Sequence, residues 1–420
     1  MRGRTVPVAD RKHIAQLYDE HVNRGIARVA RQTGMPVEVR SAGSRVWDEA
    51  GREYLDCGGF GVFLLGHRHP AVLEALHRSL DRHPLATHAL LSQELAQAAE
   101  ALTSIAPPAL EYAYFGCTGS EAVETALKLA RAHGRRRLIY TEHGFHGKTL
   151  GALSVTDRQI ARVPFRPLLP DTDLVPFGET DRLAAALADG EPACVIVEPV
   201  QGEGGVRLPP AGYLGSVARL CRQHGAFLIV DEIQTGMGRL GKWWGCEYED
   251  IRPDVLLAGK GLGGGCVPVS AVIATEQSFG PFNRNPRLHS ATFSGAPLLM
   301  AAVCATIETI RQEQLLDRAR DLGTTILDEL RGIAAPYQGH LVADVRGRGL
   351  LIGVELTHPS LANSFTAALL ESGVIVTNPA SSATVVRLCP PAVLSGADVQ
   401  WLIDAVRRAL AALRPLVRER

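Results

Sequence analysis

Hydrophobic and polar positions divide the chain into stretches of different period. Residues 1 to about 35 are polar, with Ile14, Leu17, Tyr18 and His21 at helical spacing, which predicts a helical arm packing on another body. Val37-Glu38-Val39-Arg40, Arg45-Val46-Trp47-Asp48 and Tyr54-Leu55-Asp56 then alternate apolar with polar, with Gly43 and Gly51 as turns. Period two with glycine turns predicts a small antiparallel meander. From residue 111 onward, short apolar runs replace the alternation: Glu111 to Phe115, Leu138 to Tyr140, Leu174-Val175, Ala193 to Val197, Ala226 to Val230, Val255 to Ala258 and Val267 to Ile273. Strands covered on both faces read this way. Between the first two, Val123, Ala126, Leu127 and Ala130 mark the buried stripe of a helix. Beyond residue 340, Leu341 to Leu356 reads as strand, turn, strand, and Val374 to Val376 and Val385 to Leu388 as two more short strands of the same region. Ser395 and Asp398 then cap a last helix, whose Val399, Leu402, Ile403, Val406, Leu410 and Leu413 form an apolar face expected to pack on this small sheet.

This pattern predicts an α/β protein. A chain of 420 residues exceeds the roughly 250 to 300 at which single cores stop growing. The expected division is an N-terminal arm and meander over 1–60, a large domain over 61–330 and a C-terminal small domain over 331–420.

Five of the runs end in polar or glycine-rich clusters, near residues 116, 142, 198, 231 and 260. Ligands on open α/β sheets gather outside the carboxyl ends of the strands. Gly259-Lys260-Gly261 delivers one amine onto a loop, and Asp231 ends the run before it; on adjacent parallel strands the two would share one edge. Such a pair suits pyridoxal phosphate, whose aldehyde takes an amine as a Schiff base and whose ring nitrogen needs a carboxylate to hold its proton. Thr118-Gly119-Ser120 opens the predicted helix. Its free N–H groups make either a phosphate site or an ordinary cap, and the lack of a P-loop lysine or GxGxxG spacing disfavours a nucleotide. Phe145, between glycines at a strand end, suits stacking on a planar ring or is a loop hydrophobe. Glu198 and Glu203 follow another strand, where carboxylates must face the site or pair with a base. Around Phe60 the glycine-rich Cys57 to Val62 loop calls for close backbone approach. His67-Arg68-His69-Pro70 has no third ligand spaced to help it and reads as a loop and helix start, so no metal is expected.

Composition narrows the classes further. Forty-four basic residues balance forty-four acidic ones, leaving no electrostatic footprint for nucleic acid or an anionic membrane. The longest apolar run, Ala296 to Ile307, falls short of the roughly 18 residues of a membrane span, and no apolar signal segment follows Met1. Eight cysteines without a CxxC pair read as reduced, buried thiols of a cytoplasmic protein.

The motifs Thr118 to Glu124, Phe145 to Lys148, Val197 to Gly204, Asp231 to Gly236, Gly259-Lys260, Thr292 to Gly295 and Arg387 to Pro391 stand in one order. In them, from about residue 35 to the C-terminus, the sequence resembles the class III (omega) aminotransferases, pyridoxal-phosphate enzymes of fold type I. Leu55 to Gly61, Pro167 to Pro170, Gly202 to Val206, Gly236 to Arg239 and Cys246 to Glu249 are further similar to the putrescine:2-oxoglutarate branch of that family. The resemblance implies a large, mostly parallel seven-stranded sheet domain, a smaller α+β domain and a homodimer with shared active sites. It implies Lys260 as the Schiff-base lysine and proton carrier, Asp231 at the ring nitrogen, Gln234 at the phenolic oxygen and Phe145 on the ring. Thr118, Gly119 and Ser120 would hold the phosphate together with Thr292 from the other subunit, and His146 and Glu198 would complete the cofactor's surroundings.

On the substrate side the resemblance implies Phe60, Lys148, Glu203 and Arg387. Arg387 would clamp the α-carboxylate of 2-oxoglutarate, and Glu203 would gate it, neutralising the arginine when a carboxylate-free amine binds. Lys148 stands where the family usually has arginine and cannot reproduce its bidentate carboxylate contact. The expected reaction moves the terminal amine of a putrescine-like diamine or ω-amino compound to 2-oxoglutarate. Alternatives are amination of an aldehyde or ketone of specialised metabolism, a non-transaminating reaction of the same cofactor, and a catalytically silent relative.

Overall fold

The computed structural model describes residues 10–418, so the first nine residues of the expected arm lie outside it. From Arg11 the arm is helical, as Arg11–Leu17, a π-helical turn Tyr18–Val22, and Arg24–Thr33. The alternating segments form β1 (Glu38–Ala42), β2 (Arg45–Asp48) and β3 (Glu53–Asp56), paired antiparallel.

The apolar runs become the central sheet: β4 (Leu110–Gly116), β5 (Arg137–Thr141), β6 (Thr172–Val175), β7 (Ala193–Val197), β8 (Phe227–Asp231), β9 (Val255–Ala258) and β10 (Ser270–Thr275). Its order is β4-β10-β9-β8-β7-β5-β6. Six strands point one way and β10 is reversed, pairing antiparallel with both β4 and β9. Both faces are covered, which is why the strands carry so few polar residues. On one face Val123, Ala126 and Ala130 of helix Gly119–Ala132 pack with Leu138, Ile196, Ile229 and Leu257. The intervening residues Ile139, Val195, Leu228 and Leu256 point to the opposite face and the larger core.

In the C-terminal region β11 (Val342–Arg348), β12 (Leu351–Leu356) and β14 (Val385–Leu388) form an antiparallel sheet. β13 (Val374–Ile375) does not join it. It pairs parallel with the free edge of β3, so the N-terminal meander closes as β1-β2-β3-β13. The last helix, Gly396–Arg418, is capped reciprocally: Ser395 N–H donates to Asp398 Oδ2 at 2.9 Å and Asp398 N–H to Ser395 Oγ at 3.2 Å. The expected contact with the small sheet is largely taken by helices Leu315–Ala334 and Pro359–Glu371, which cover β11, β12 and β14, and the last helix packs on those two helices. No described helix is long and apolar enough to cross a membrane.

Candidate active site

β4, β5, β7, β8 and β9 all end at one edge of the sheet, and a cavity of about 270 Å³ lies there. Its walls are Thr118 to Ser120 after β4, Phe145 to Gly147 after β5, Glu198 and Glu203 after β7, Asp231, Ile233 and Gln234 from the end of β8, and Lys260 after β9. Strand direction converges these segments: β5, β7, β8 and β9 run parallel, and β4, antiparallel to the reversed β10, runs the same way, so each delivers its last residue to the same side.

Asp231 is buried and its two oxygens are held apart. Oδ2 lies 2.7 Å from His146 Nδ1, and Oδ1 accepts from Ile233 N–H at 3.0 Å. Burial would lower the pKa of the His146 imidazole, but the bond and charge of Asp231 outweigh it and leave the ring more basic than usual. Glu198 accepts from Phe145 N–H at 2.9 Å. Its burial, partly offset by His146, pushes its pKa up to about 7, so near neutral pH it is shared between acid and carboxylate.

Lys260 enters from a backbone with φ of 44°, a left-handed conformation uncommon outside glycine and typical of residues fixed by function. Its amine makes no hydrogen bond or salt bridge with any described residue and faces the cavity. Burial lowers its pKa, with Glu203 opposing and Arg387 reinforcing the shift, which favours the neutral, nucleophilic amine.

Arg387 is fully buried on β14. Its Nη1 donates to Glu203 Oε1 at 2.6 Å and to Gln234 Oε1 at 3.3 Å, and its Nη2 to Thr377 Oγ1 at 3.3 Å. Burial alone would raise the pKa of Glu203, but Arg387 and Lys260 bring it below the ordinary carboxylate range, so the pair is ionic. Gly202 makes this packing possible: a Cβ there would fall 1.4 Å from Gln234 Oε1.

Thr118 caps helix Gly119–Ala132 in a capping box with Glu121, Oγ1 accepting from Glu121 N–H at 3.3 Å. The N–H groups of Gly119 and Ser120, the first two of that helix, have no acceptor among the described residues. The capping and phosphate-site readings of this turn are therefore compatible, because the threonine satisfies the third N–H and leaves two aimed at the cavity.

Four sequence candidates sit outside these walls, and one of them, Arg387, reaches the cavity wall only through its bonds to Glu203 and Gln234. Thr292 is exposed, its carbonyl accepting from the His88 ring at 2.9 Å. Lys148 is exposed, with its N–H 3.3 Å from Ser120 Oγ. Phe60 is exposed, with φ of 50°. Conversely, Ile233 lines the cavity, and Thr377, Ala380 and Ser381 hold Arg387 and Glu203 without having been singled out. Ile233 could have been found two residues past Asp231; the others act largely through backbone groups, which leave no compositional signal.

The class-III aminotransferase family model matches residues 27–410. The chain belongs to the class III aminotransferases. Among solved structures, an ornithine aminotransferase from Toxoplasma gondii, described with pyridoxal phosphate partly occupying its active site, is 30% identical. It superposes with a TM-score of 0.88 over 99% of this chain and 100% of its own. An (S)-enantioselective omega-transaminase from Thermomicrobium roseum is 27% identical, TM-score 0.88, covering 97% of this chain and all of that one. A transaminase from the marine bacterium Virgibacillus is 25% identical, TM-score 0.89, covering 96% and 99%. This aminotransferase is therefore a pyridoxal-phosphate enzyme of fold type I, and its cavity fits that cofactor: an unpartnered amine, two free helix N–H groups and a braced carboxylate face one space.

Proposed function

We propose that this aminotransferase moves the terminal amino group of a short diamine or ω-amino compound, putrescine-like, to 2-oxoglutarate, releasing an aldehyde and glutamate. The observation that carries the reading is the 2.6 Å Glu203–Arg387 pair, closed beside the cavity that Lys260 lines. With the guanidinium neutralised, the pocket suits an amine that has no carboxylate; with the pair parted, it offers a planar fork to the carboxylate of a 2-oxo acid. The T. gondii relative supports a donor of this kind, since ornithine, like putrescine, carries an amine at the end of a short methylene chain.

Bound pyridoxal phosphate supplies the electron sink and carries the amino group between the two halves of the reaction. The chain's own residues bind, orient and move protons. The Gly119 and Ser120 N–H groups would hold the phosphate at the positive end of their helix, joined by Thr292 reaching in from the other subunit of a homodimer. Asp231, braced by His146, would hold the proton at the ring nitrogen, Phe145 would cover the ring and Gln234 would meet the phenolic oxygen. Lys260, kept towards its neutral form, would accept at Nζ the proton released by the substrate carbon and pass it on to the cofactor. The unpaired cysteines suit a reducing compartment such as the cytoplasm.

The test is a half-reaction panel on the holoenzyme, following the visible absorbance of the bound cofactor with diamines, ornithine, ω-amino acids and α-amino acids. Short diamines and ω-amino compounds are expected to react fastest. A protein that answers only to α-amino acids contradicts the reading.

A further inference from the structure

The turn after β13 touches both members of the Glu203–Arg387 pair. Thr377 and Arg387 exchange backbone bonds, Arg387 N–H to Thr377 O at 2.8 Å and Thr377 N–H to Arg387 O at 3.3 Å, besides the bond from Arg387 Nη2 to Thr377 Oγ1. Three residues on, Ala380 N–H donates to Glu203 Oε2 at 2.7 Å, and Ser381 N–H donates to the Glu203 carbonyl at 2.9 Å. The carboxylate is thereby divided: Oε1 takes Arg387 and, at 3.4 Å, Gln234 Nε2, while Oε2 takes the turn.

One feature of this arrangement is left unexplained by a permanently closed pair. Ser381 Oγ is buried and has no hydrogen-bond partner among the described residues, a rare condition for a hydroxyl. Arg387 also donates to Thr377 and Gln234 by bonds that do not involve Glu203, so in such an opening the arginine stays and the glutamate moves. An ionised carboxylate leaving a guanidinium inside the protein needs a replacement donor. The free hydroxyl in the same turn, on the residue already bonded to the Glu203 backbone, supplies one.

We propose that turn 377–382 is the seat of the gate: Ala380 N–H holds Glu203 closed against Arg387, and Ser381 Oγ receives the Glu203 carboxylate when a dicarboxylate opens the pair. Ser381 is then a positioning residue that sets the balance between the two substrates, an inference that rests on the gate reading of Glu203 given above.

The experiment titrates the holoenzyme with glutarate, a dicarboxylate without the reactive keto group, alongside steady-state kinetics of each half-reaction. Ser381→Ala removes the donor of the open state, so the glutarate Kd and the 2-oxoglutarate KM are expected to rise about tenfold, with kcat of that half held and the amine KM unchanged or slightly lowered. Ser381→Thr, which restores a hydroxyl, recovers most of the loss. In a Glu203→Ala background Ser381→Ala has no further effect, because no carboxylate remains to be received. Wild-type glutarate affinity in Ser381→Ala, or the same loss persisting without Glu203, overturns the proposal. The two readings separate on Glu203→Ala alone, which tightens glutarate if the gate exists. If it does not, the gate reading falls as well; if it does and Ser381→Ala is inert, only the role of the turn falls.

Discussion

Replacing Arg387 by lysine separates the two tasks assigned to it. The wild-type guanidinium is fully buried and spends one nitrogen on Glu203 at 2.6 Å and another on Thr377 at 3.3 Å. A lysine keeps the charge and can still satisfy Glu203, so the closed state that accepts the amine survives. It cannot present two parallel donors to a carboxylate, and a charge-assisted bond of this kind contributes about 1.5 to 3 kcal/mol, equivalent to roughly a 10- to 150-fold change in affinity. Arg387→Lys is therefore expected to raise the KM for 2-oxoglutarate by about that factor while changing the amine half-reaction several-fold at most. Arg387→Ala is different in kind. It leaves an unpaired carboxylate inside the protein, a change that typically destabilises by about 3 to 5 kcal/mol, so both half-reactions and the unfolding midpoint should suffer. The assay is rapid mixing with absorbance of the bound cofactor, each half-reaction taken separately over a substrate series, with urea unfolding as the control. Equal losses in the two halves for the lysine variant, at unchanged stability, would refute a carboxylate clamp at residue 387.

Three further predictions test the rest of the site. Borohydride reduction of the holoenzyme should fix the cofactor to the peptide carrying Lys260, and Lys260→Ala should abolish turnover while keeping the fold; label on another lysine by peptide mapping contradicts the assignment. Glu198, with its pKa raised to about 7 in the folded protein by burial, binds its proton more tightly folded than unfolded. Its contribution to stability is thus present below about pH 4.5 and lost as pH rises through about 7, up to about 3 kcal/mol in all, and Glu198→Gln should flatten the pH profile of apoprotein urea unfolding across that window; parallel profiles sink the idea. Thr292→Ala, at a residue outside this chain's own cavity, should weaken cofactor binding about tenfold in equilibrium dialysis without altering the fold, and an unchanged affinity argues against a contribution from the partner subunit.

What could be read from the sequence depended on whether a side chain or the backbone carries the information. The central strands are apolar on both faces because helices cover both, so runs such as Ala193 to Val197 announced themselves, and so did the residues stationed where those runs stop. Strand direction is invisible by the same criterion: β10 is as apolar as its neighbours, and only its pairing with β4 and β9 shows it reversed. β13 is two residues long and pairs with a strand over three hundred residues earlier, a partnership that no local period can encode. The caps at Thr118 and Ser395 were legible because they need particular oxygens at particular spacings. One bond to Glu203 comes from the N–H of Ala380, a donor that every residue but proline carries, so the turn beside the Glu203–Arg387 pair left no mark in composition. Substrate preference in this family would then be adjustable by changing a turn's geometry while every motif residue stays in place. On that proposal, the motifs would identify the aminotransferase class far more firmly than they identify its amine.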